Sequence, residues 1–319
     1  VDRPAAPQTA PPPAVAPAVT VAHLPPLPAD PALSRLVVGA FASPWPGRVR
    51  LADEASGAAV LDLDRPAGLG MVVSPLAAGT TRQWDRANAL DIELFAGHLA
   101  DVTALAALAG GNRLAVETDA GGWEVIGFAA AELTAPRRYR LRRLLRGLDG
   151  SEAAMGPVSP GRRVMVLDGR TGTVPVPHQH LGESRALRCY AGAADLAGRP
   201  VSVATGPDAA RPLAPAHVRA MRQGDGSIGF RWVRRSRADG DGWGLAEPPL
   251  EHAPEAWRLE IWDGAVRRRS IAASGAAASY GLAEQAADFG GPAGAFTYGV
   301  AQVSPELGAG HMSWGAFDG

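Results

Sequence analysis

The stretch from Trp123 to Met155, WEVIGFAAAELTAPRRYRLRRLLRGLDGSEAAM, narrows what this chain can fold into more than any other. Trp123, Val125, Gly127 and Ala129 alternate with Glu124, Ile126 and Phe128, which suits a strand covered on both faces. Thr134-Ala135-Pro136 then turns the chain. Arg138, Arg140 and Arg142 alternate with Tyr139 and Leu141, so a second strand carries one guanidinium face and one apolar face. Leu141, Leu144, Leu145 and Leu148 also fit helical spacing, but Gly147 and Gly150 cut such a helix short. The pattern therefore predicts a β-hairpin that ends in the tight turn Arg146-Gly147-Leu148-Asp149-Gly150, where Asp149-Gly150 supplies the positive-φ position.

Elsewhere, too, short apolar or alternating runs separated by Gly, Pro and Asp predict strands. Between residues 33 and 210 these are Arg48 to Ala52, Ala58 to Leu63, Met71 to Ser74, Leu90 to Phe95, Arg113 to Thr118, Arg163 to Asp168, Arg185 to Tyr190 and Pro200 to Thr205. Val102 to Ala109 fits two turns of helix stopped by Gly110-Gly111. Residues 211–319 offer seven strand candidates: Val218 to Arg222, Ile228 to Arg235, Trp257 to Asp263, Val266 to Ala272, Ser279 to Leu282, Phe296 to Val303 and Met312 to Phe317. Asp225-Gly226 and Asp263-Gly264 mark hairpins, and such spacing is the signature of a β-sandwich. Residues 1–32 carry prolines throughout and read as an extended Pro/Ala-rich linker.

The chain has 319 residues, enough for two domains each with its own core. Its formal net charge is −1, with arginine as the whole basic complement, so the surface is not that of a polyanion binder and no specific nucleic-acid binding is expected. Cys189 stands alone, which excludes an internal disulfide and a cysteine zinc site. No apolar run approaches the roughly 20 residues of a membrane-spanning helix. The start lacks the cationic and apolar regions of a signal peptide, and Val1 in place of Met suggests a fragment.

Several of these motifs carry a resemblance. The Trp123 strand, its turn and the Tyr139–Gly150 strand resemble a block of the large tail-tip (host-specificity) baseplate proteins of long-tailed phages and gene transfer agents. The likeness continues through GSIGFRWVRRSRADGDGW (Gly226 to Trp243), AWRLEIWDG (Ala256 to Gly264) and SYGLAEQAADFGG (Ser279 to Gly291). FTYGVAQVSPELGAGHMSW resembles the last two strands of a fibronectin type III domain, with Trp232 as its core tryptophan and Phe296 where that family has its corner tyrosine. The resemblance implies a mainly β chain: a linker over 1–32, a β-rich tail-protein domain over 33–210 and a fibronectin type III-like sandwich over 211–319. It also implies a structural role in a particle's tail tip, with other baseplate proteins as partners, a homotrimeric state at a threefold tip, and a glycoside-hydrolase-like barrel upstream.

Candidate sites are few. His178-Gln179-His180 would place two imidazoles on one face of an extended segment, a spacing that can bind metal, but Pro175 and Pro177 favour a solvated loop. Asp62 with Asp64 and Asp239 with Asp241 read as turn residues, the calcium-loop pattern being absent. No nucleophile elbow or opposed acid pair is visible, so no catalytic residue, cofactor or metal is expected. The arginines, including Arg234, Arg235, Arg237 and Arg267 to Arg269, suit salt bridges within or between subunits. Arg138, Arg140, Arg142, Arg146 and Trp243 are the expected interface residues, because an arginine face repels itself unless carboxylates of its own or a neighbouring chain meet it. A second reading is a cell-surface carbohydrate-binding module, in which Trp45, Trp84, Trp243 or Trp314 would stack on sugar rings.

Overall fold

The computed structural model describes residues 15–27, 33–238 and 247–319. Its elements are almost all strands, in three packed β units. The chain begins with β1 (Ala18–Leu24), β2 (Leu33–Phe41), β3 (Val49–Asp53) and β4 (Ala59–Leu63). It then leaves this first unit for β5 (Leu69–Val72), β6 (Trp84–Asp85), β7 (Leu90–Leu94), the short helix α1 (Ala104–Leu108), β8 (Arg113–Glu117), β9 (Trp123–Ala135), β10 (Arg138–Leu145) and β11 (Arg163–Val166). With β12 (Gly172–Pro177), β13 (Ser184–Ala191) and β14 (Arg199–Ala204) it returns and completes the first unit. The second unit is therefore an insertion into the first.

The inserted unit is a closed antiparallel barrel. Its strands pair in the cycle β9–β10–β7–β5–β11–β8 and back to β9, so no edge remains in the ring, and β6 adds to one end of β10. Ile92, Leu94, Leu114, Ile126, Phe128, Leu141 and Val164, each at most 1% exposed, fill its interior. Along β9 the alternation assigns Glu124, Ile126 and Phe128 to the inside, and Trp123 and Val125 to the outside.

The first unit is a sandwich of the sheets β1-β2-β12 and β14-β13-β3-β4. Val21, Leu36, Val38, Leu51, Val176, Leu187 and Cys189 form the core between them. The other face of β1 and β2, through Ala22, Leu24 and Val37, packs on Leu69, Ala115, Trp123, Val125 and Met165 of the barrel wall. That sheet is a middle layer, buried on both sides.

Residues 18–24 are thus not linker. AVTVAHL is a strand in seven-residue register with β2, and Leu24 is fully buried. Pro17 and Pro25 flank it and interrupt nothing inside it. Residues 1–14 and 28–32 of the expected linker lie outside the described residues. The strand β12 was also concealed by proline: Pro175 and Pro177 sit on an edge strand, where a missing N–H costs no ladder bond.

The third unit contains β15 (Ala216–Arg222), β16 (Ile228–Val233), β17 (Trp257–Asp263), β18 (Val266–Ala273), β19 (Ala277–Tyr280), the helix α2 (Leu282–Phe289), β20 (Phe296–Ser304), β21 (Gly308–Ala309) and β22 (Ser313–Phe317). All seven expected strands are present, divided between the sheets β15-β16-β19 and β18-β17-β20-β22. Trp232 packs edge-on against Trp257 in the core, and Phe296 stacks on Phe317. The chain is therefore mainly β, with a two-sheet sandwich at its C-terminal end. The helix α2 was unexpected. Gly281 opens it, Glu284 accepts the Gly281 N–H at 2.8 Å, and Gly290 in the left-handed region ends it.

Candidate functional site

The segment from Arg146 to Met155 is where the three units meet, and its polar side chains between them reach all three. Arg146 follows Leu144 on the inward face of β10 and reaches into one end of the barrel. Its Nε donates to Glu124 Oε1 at 2.6 Å and its Nη2 to Glu124 Oε2 at 2.8 Å, while Nη1 reaches Asp85 Oδ2 at 3.3 Å and the Ala77 carbonyl at 3.1 Å. The side chains of Arg146 and Glu124 are 0% exposed and that of Asp85 3%. The bidentate fork satisfies most of the guanidinium, and Gly147 N–H gives Glu124 Oε1 a further bond at 3.0 Å.

The turn then takes left-handed conformations at Gly147, Asp149 and Gly150, as Asp149-Gly150 led us to expect. Asp149 tolerates αL because its short carboxylate finds partners nearby. Arg113 of β8 donates to Oδ1 at 2.8 Å, and Arg35 of β2 donates to Oδ2 at 3.3 Å, so one carboxylate joins barrel to first unit. Burial lowers the Arg35 pKa, and Asp149 opposes that shift. Ser151 Oγ accepts the Val125 N–H and donates to the Leu148 carbonyl. Glu152 pairs with Arg235 of the third unit. Beside it, Arg237 donates to the Arg211 carbonyl at 2.9 Å and pairs with Glu251; burial lowers its pKa and Glu251 pulls it back up.

A cleft of about 650 Å³ opens beside this junction, lined among others by Val21, His23, Trp123, Ser202 and His311. His23 is held neutral: burial pushes its pKa down to about 4, and its Nε2 lies 2.9 Å from Ser34 Oγ. Arg163 lies over the Trp123 ring at 5.2 Å from its centroid. These walls bring no nucleophile, base and orienting group together. Among the described residues, no three His, Cys, Asp or Glu side chains are placed to hold a metal ion.

The expected interface residues separate. Arg138 and Arg140 lie on the outer face of β10, and their carboxylates come from their own chain: Arg138 Nε donates to Glu93 at 2.8 Å, and Arg140 donates to both oxygens of Asp91 at 2.7 and 3.0 Å. The Arg140 fork, helped by Ser74, holds the Asp91 carboxyl below its usual range. Arg142 is exposed. Arg146 is withdrawn from this set, because its neighbours Glu124 and Asp85 hold it inside the barrel where no partner reaches. Arg138 and Arg140 are therefore paired within the monomer, and their pairing does not by itself require a second subunit. Trp243, Asp239 and Asp241 lie outside the described residues.

His178 and His180 fall in a 3₁₀ turn, not an extended run, and point to different carboxylates, Glu306 at 3.4 Å and Glu183 at 3.3 Å. Asp62 receives the Arg50 fork and Asp64 pairs with Arg48, so both serve salt bridges. Trp45 donates to the Asp64 carbonyl, Trp84 lies under Arg143, and Trp314 is 58% exposed. The residues missed in the sequence were the acids Glu124, Asp85, Asp149 and Glu152. Glu124 had a signal: a carboxylate on the apolar face of Trp123–Phe128 demands a buried partner.

Residues 67–165 match the family described as Rcc01698-like, C-terminal, a family named after a gene-transfer-agent-type protein. The match begins just before β5 and ends within β11, so it covers the inserted barrel and neither of the other units. No curated protein matches the chain. No helix among the described residues is long and apolar enough to cross a membrane.

Proposed function

We propose that this chain is a structural component of the tail baseplate or tip of a phage-like, gene-transfer-agent particle. It contributes there to tail assembly and to host-cell attachment or DNA delivery, as a homotrimer in contact with other baseplate proteins. The observation that carries this reading is the coincidence of the family match with the closed barrel, a complete structural module. The junction supports it, since its buried and half-buried charges join three β units and are not arranged around a substrate. No catalytic role is proposed.

The test is to locate a tagged chain in purified particles by electron microscopy. Density at the tail tip with threefold symmetry is expected, together with loss of attachment or delivery when the gene is deleted. A chain absent from purified particles would sink the proposal. An Arg140→Glu variant asks whether the arginine face is a joint. It sets a like charge against Asp91, and assembly unchanged at an unchanged melting temperature would exclude this face from the subunit contact.

A further inference from the structure

The outer face of the sheet β18-β17-β20-β22 carries an aromatic platform. Trp314 stands opposite Gly299 in the β20–β22 pair, and Trp262 stands opposite Thr297 in the β17–β20 pair. Opposed residues share a face, and the neighbouring Ile261, Tyr298 and Val300 point into the core, so both indoles project outward. Their rings meet edge to face, 6.0 Å apart and inclined by 65°. Gly299 makes room for this: a Cβ there would come within 3.0 Å of Trp314 Cζ3. The Trp314 ring therefore rests on the sheet backbone with its other face open to solvent.

Charge on the same face is unbalanced. Glu260, 4% exposed at its side chain, accepts Trp262 Nε1 at 3.1 Å on Oε2 and Arg267 Nη1 at 3.1 Å on Oε1, and Arg258 Nε comes within 3.2 Å of that same Oε1. Two guanidiniums thus share one carboxylate, and both remain accessible, with side chains 40% and 53% exposed. The other outward neighbours, Thr297, Ala316 and Ser270, are small or polar, and Met312 Sδ sits beside Trp314 over Gly299. The face offers one backed aromatic plane and, around Glu260, one surplus positive charge, a combination that suits an anionic ligand with an apolar face.

We propose that this face binds an acidic glycan. The apolar C–H face of a uronic-acid ring stacks on Trp314 against the wall formed by Trp262, while its carboxylate meets the guanidinium fork of Arg267 or Arg258. This inference stands independently of a place in a tail tip.

The experiment titrates the full chain with oligogalacturonate, alginate and hyaluronan oligomers, and with maltohexaose and cellohexaose as neutral controls, by calorimetry and tryptophan fluorescence. Saturable binding of at least one acidic oligomer is expected, weakening as salt is raised, with neutral oligomers at least tenfold weaker. Trp314→Ala should cost tenfold or more in affinity without moving the melting temperature. Ala316→Glu, a change on the exposed surface, should weaken binding severalfold through charge alone. The proposal falls if no acidic oligomer saturates at millimolar concentration, if neutral oligomers bind equally, or if Trp314→Ala binds unchanged. Trp314 shielded from oxidation in assembled particles, with no glycan binding by the free chain, would make this face a protein–protein joint and also overturn it.

Discussion

Glu124→Gln tests whether the ion cluster at the end of the barrel is as dry as the structure has it. The carboxylate accepts three hydrogen bonds, two from the Arg146 fork and one from Gly147 N–H. Glutamine keeps the shape, but its amide can accept at one terminus only. The other terminus becomes a donor facing the donor Arg146 Nη2. Arg146 then keeps a full charge at 0% exposure, with Asp85 3.3 Å away as its remaining acid. Removing one partner of a buried pair costs about 3–5 kcal/mol, because the remaining charge loses its compensation without regaining water. At about 2–4 °C per kcal/mol for the barrel and first unit melting together, the transition should fall by roughly 6–20 °C. The assay is chemical and thermal denaturation of the full chain, followed by fluorescence of Trp123 and its neighbours. Glu124→Leu combined with Arg146→Met and Asp85→Asn should recover most of the loss, since replacing every charged member removes the penalty together with the cluster. A Glu124→Gln variant within about 1 kcal/mol of the parent would refute the reasoning, and so would a triple variant worse than the single one.

Three further outcomes follow from the same structure. His23 stays neutral down to about pH 4 when folded, whereas an unfolded histidine protonates near 6.5. The His23 contribution to stability is therefore complete above about pH 6.5 and declines as pH falls toward 4, by up to about 1.4 kcal/mol per unit. His252, also lowered by burial, acts with the same sign, and a pH series of melts on His23→Gln should show a shallower slope than the parent. Burial pushes the Cys189 thiol up to about 11 and leaves it 2% exposed, so a thiol reagent at pH 8 should label it only after denaturation. Asp149→Asn should loosen the barrel against the first unit, seen as faster protease cleavage at their junction with the barrel's own core unchanged; equal cleavage rates would show that apolar packing alone holds them.

How much of this was legible in the sequence depended on the range of the interaction. The strands of the third unit are set by local alternation and by the turns Asp225-Gly226 and Asp263-Gly264, where Gly226 and Gly264 do take positive φ. Short-range rules suffice there. The central hairpin was legible for the same reason, down to the left-handed Asp149-Gly150. The strand β1 was not, because proline content over a wide window outweighed the seven residues between Pro17 and Pro25. The helix α2 was overlooked although Gly281, Glu284 and Gly290 are its start and stop signals, because Ser279-Tyr280 reads as strand and runs straight into it. Closure of the barrel left no local trace at all. It depends on β11 pairing with β5 and β8, residues such as Arg163 with Met71 and Val164 with Val116, and no periodicity encodes such a choice. Arg146 was grouped with the surface arginines because composition shows charge and not depth.

The insertion also explains why charge is concentrated at the junction. The barrel enters and leaves through β5 and β11, which pair with each other, so its covalent attachment to the first unit is a two-strand stalk. A stalk of that kind resists stretching but allows rocking, because its two crossing points lie side by side. Stiffness must come from contacts away from it. The apolar layer of Leu24, Val37, Trp123 and Val125 supplies contact area but little direction, since hydrophobic contacts are non-directional. The ion pairs are directional, and they are placed beyond the stalk: Asp149 clamps Arg35 of the first unit to Arg113 of the barrel, and Glu152 reaches Arg235 of the third. Both acids belong to the one turn that follows Arg146, whose own guanidinium is fixed inside the barrel. Glu152 and the turn thus connect the third unit to Arg146 and the barrel interior by a route separate from the stalk. The polar contacts that join the three units gather in ten residues whose chemistry resembled, from sequence alone, only a basic strand running into a turn.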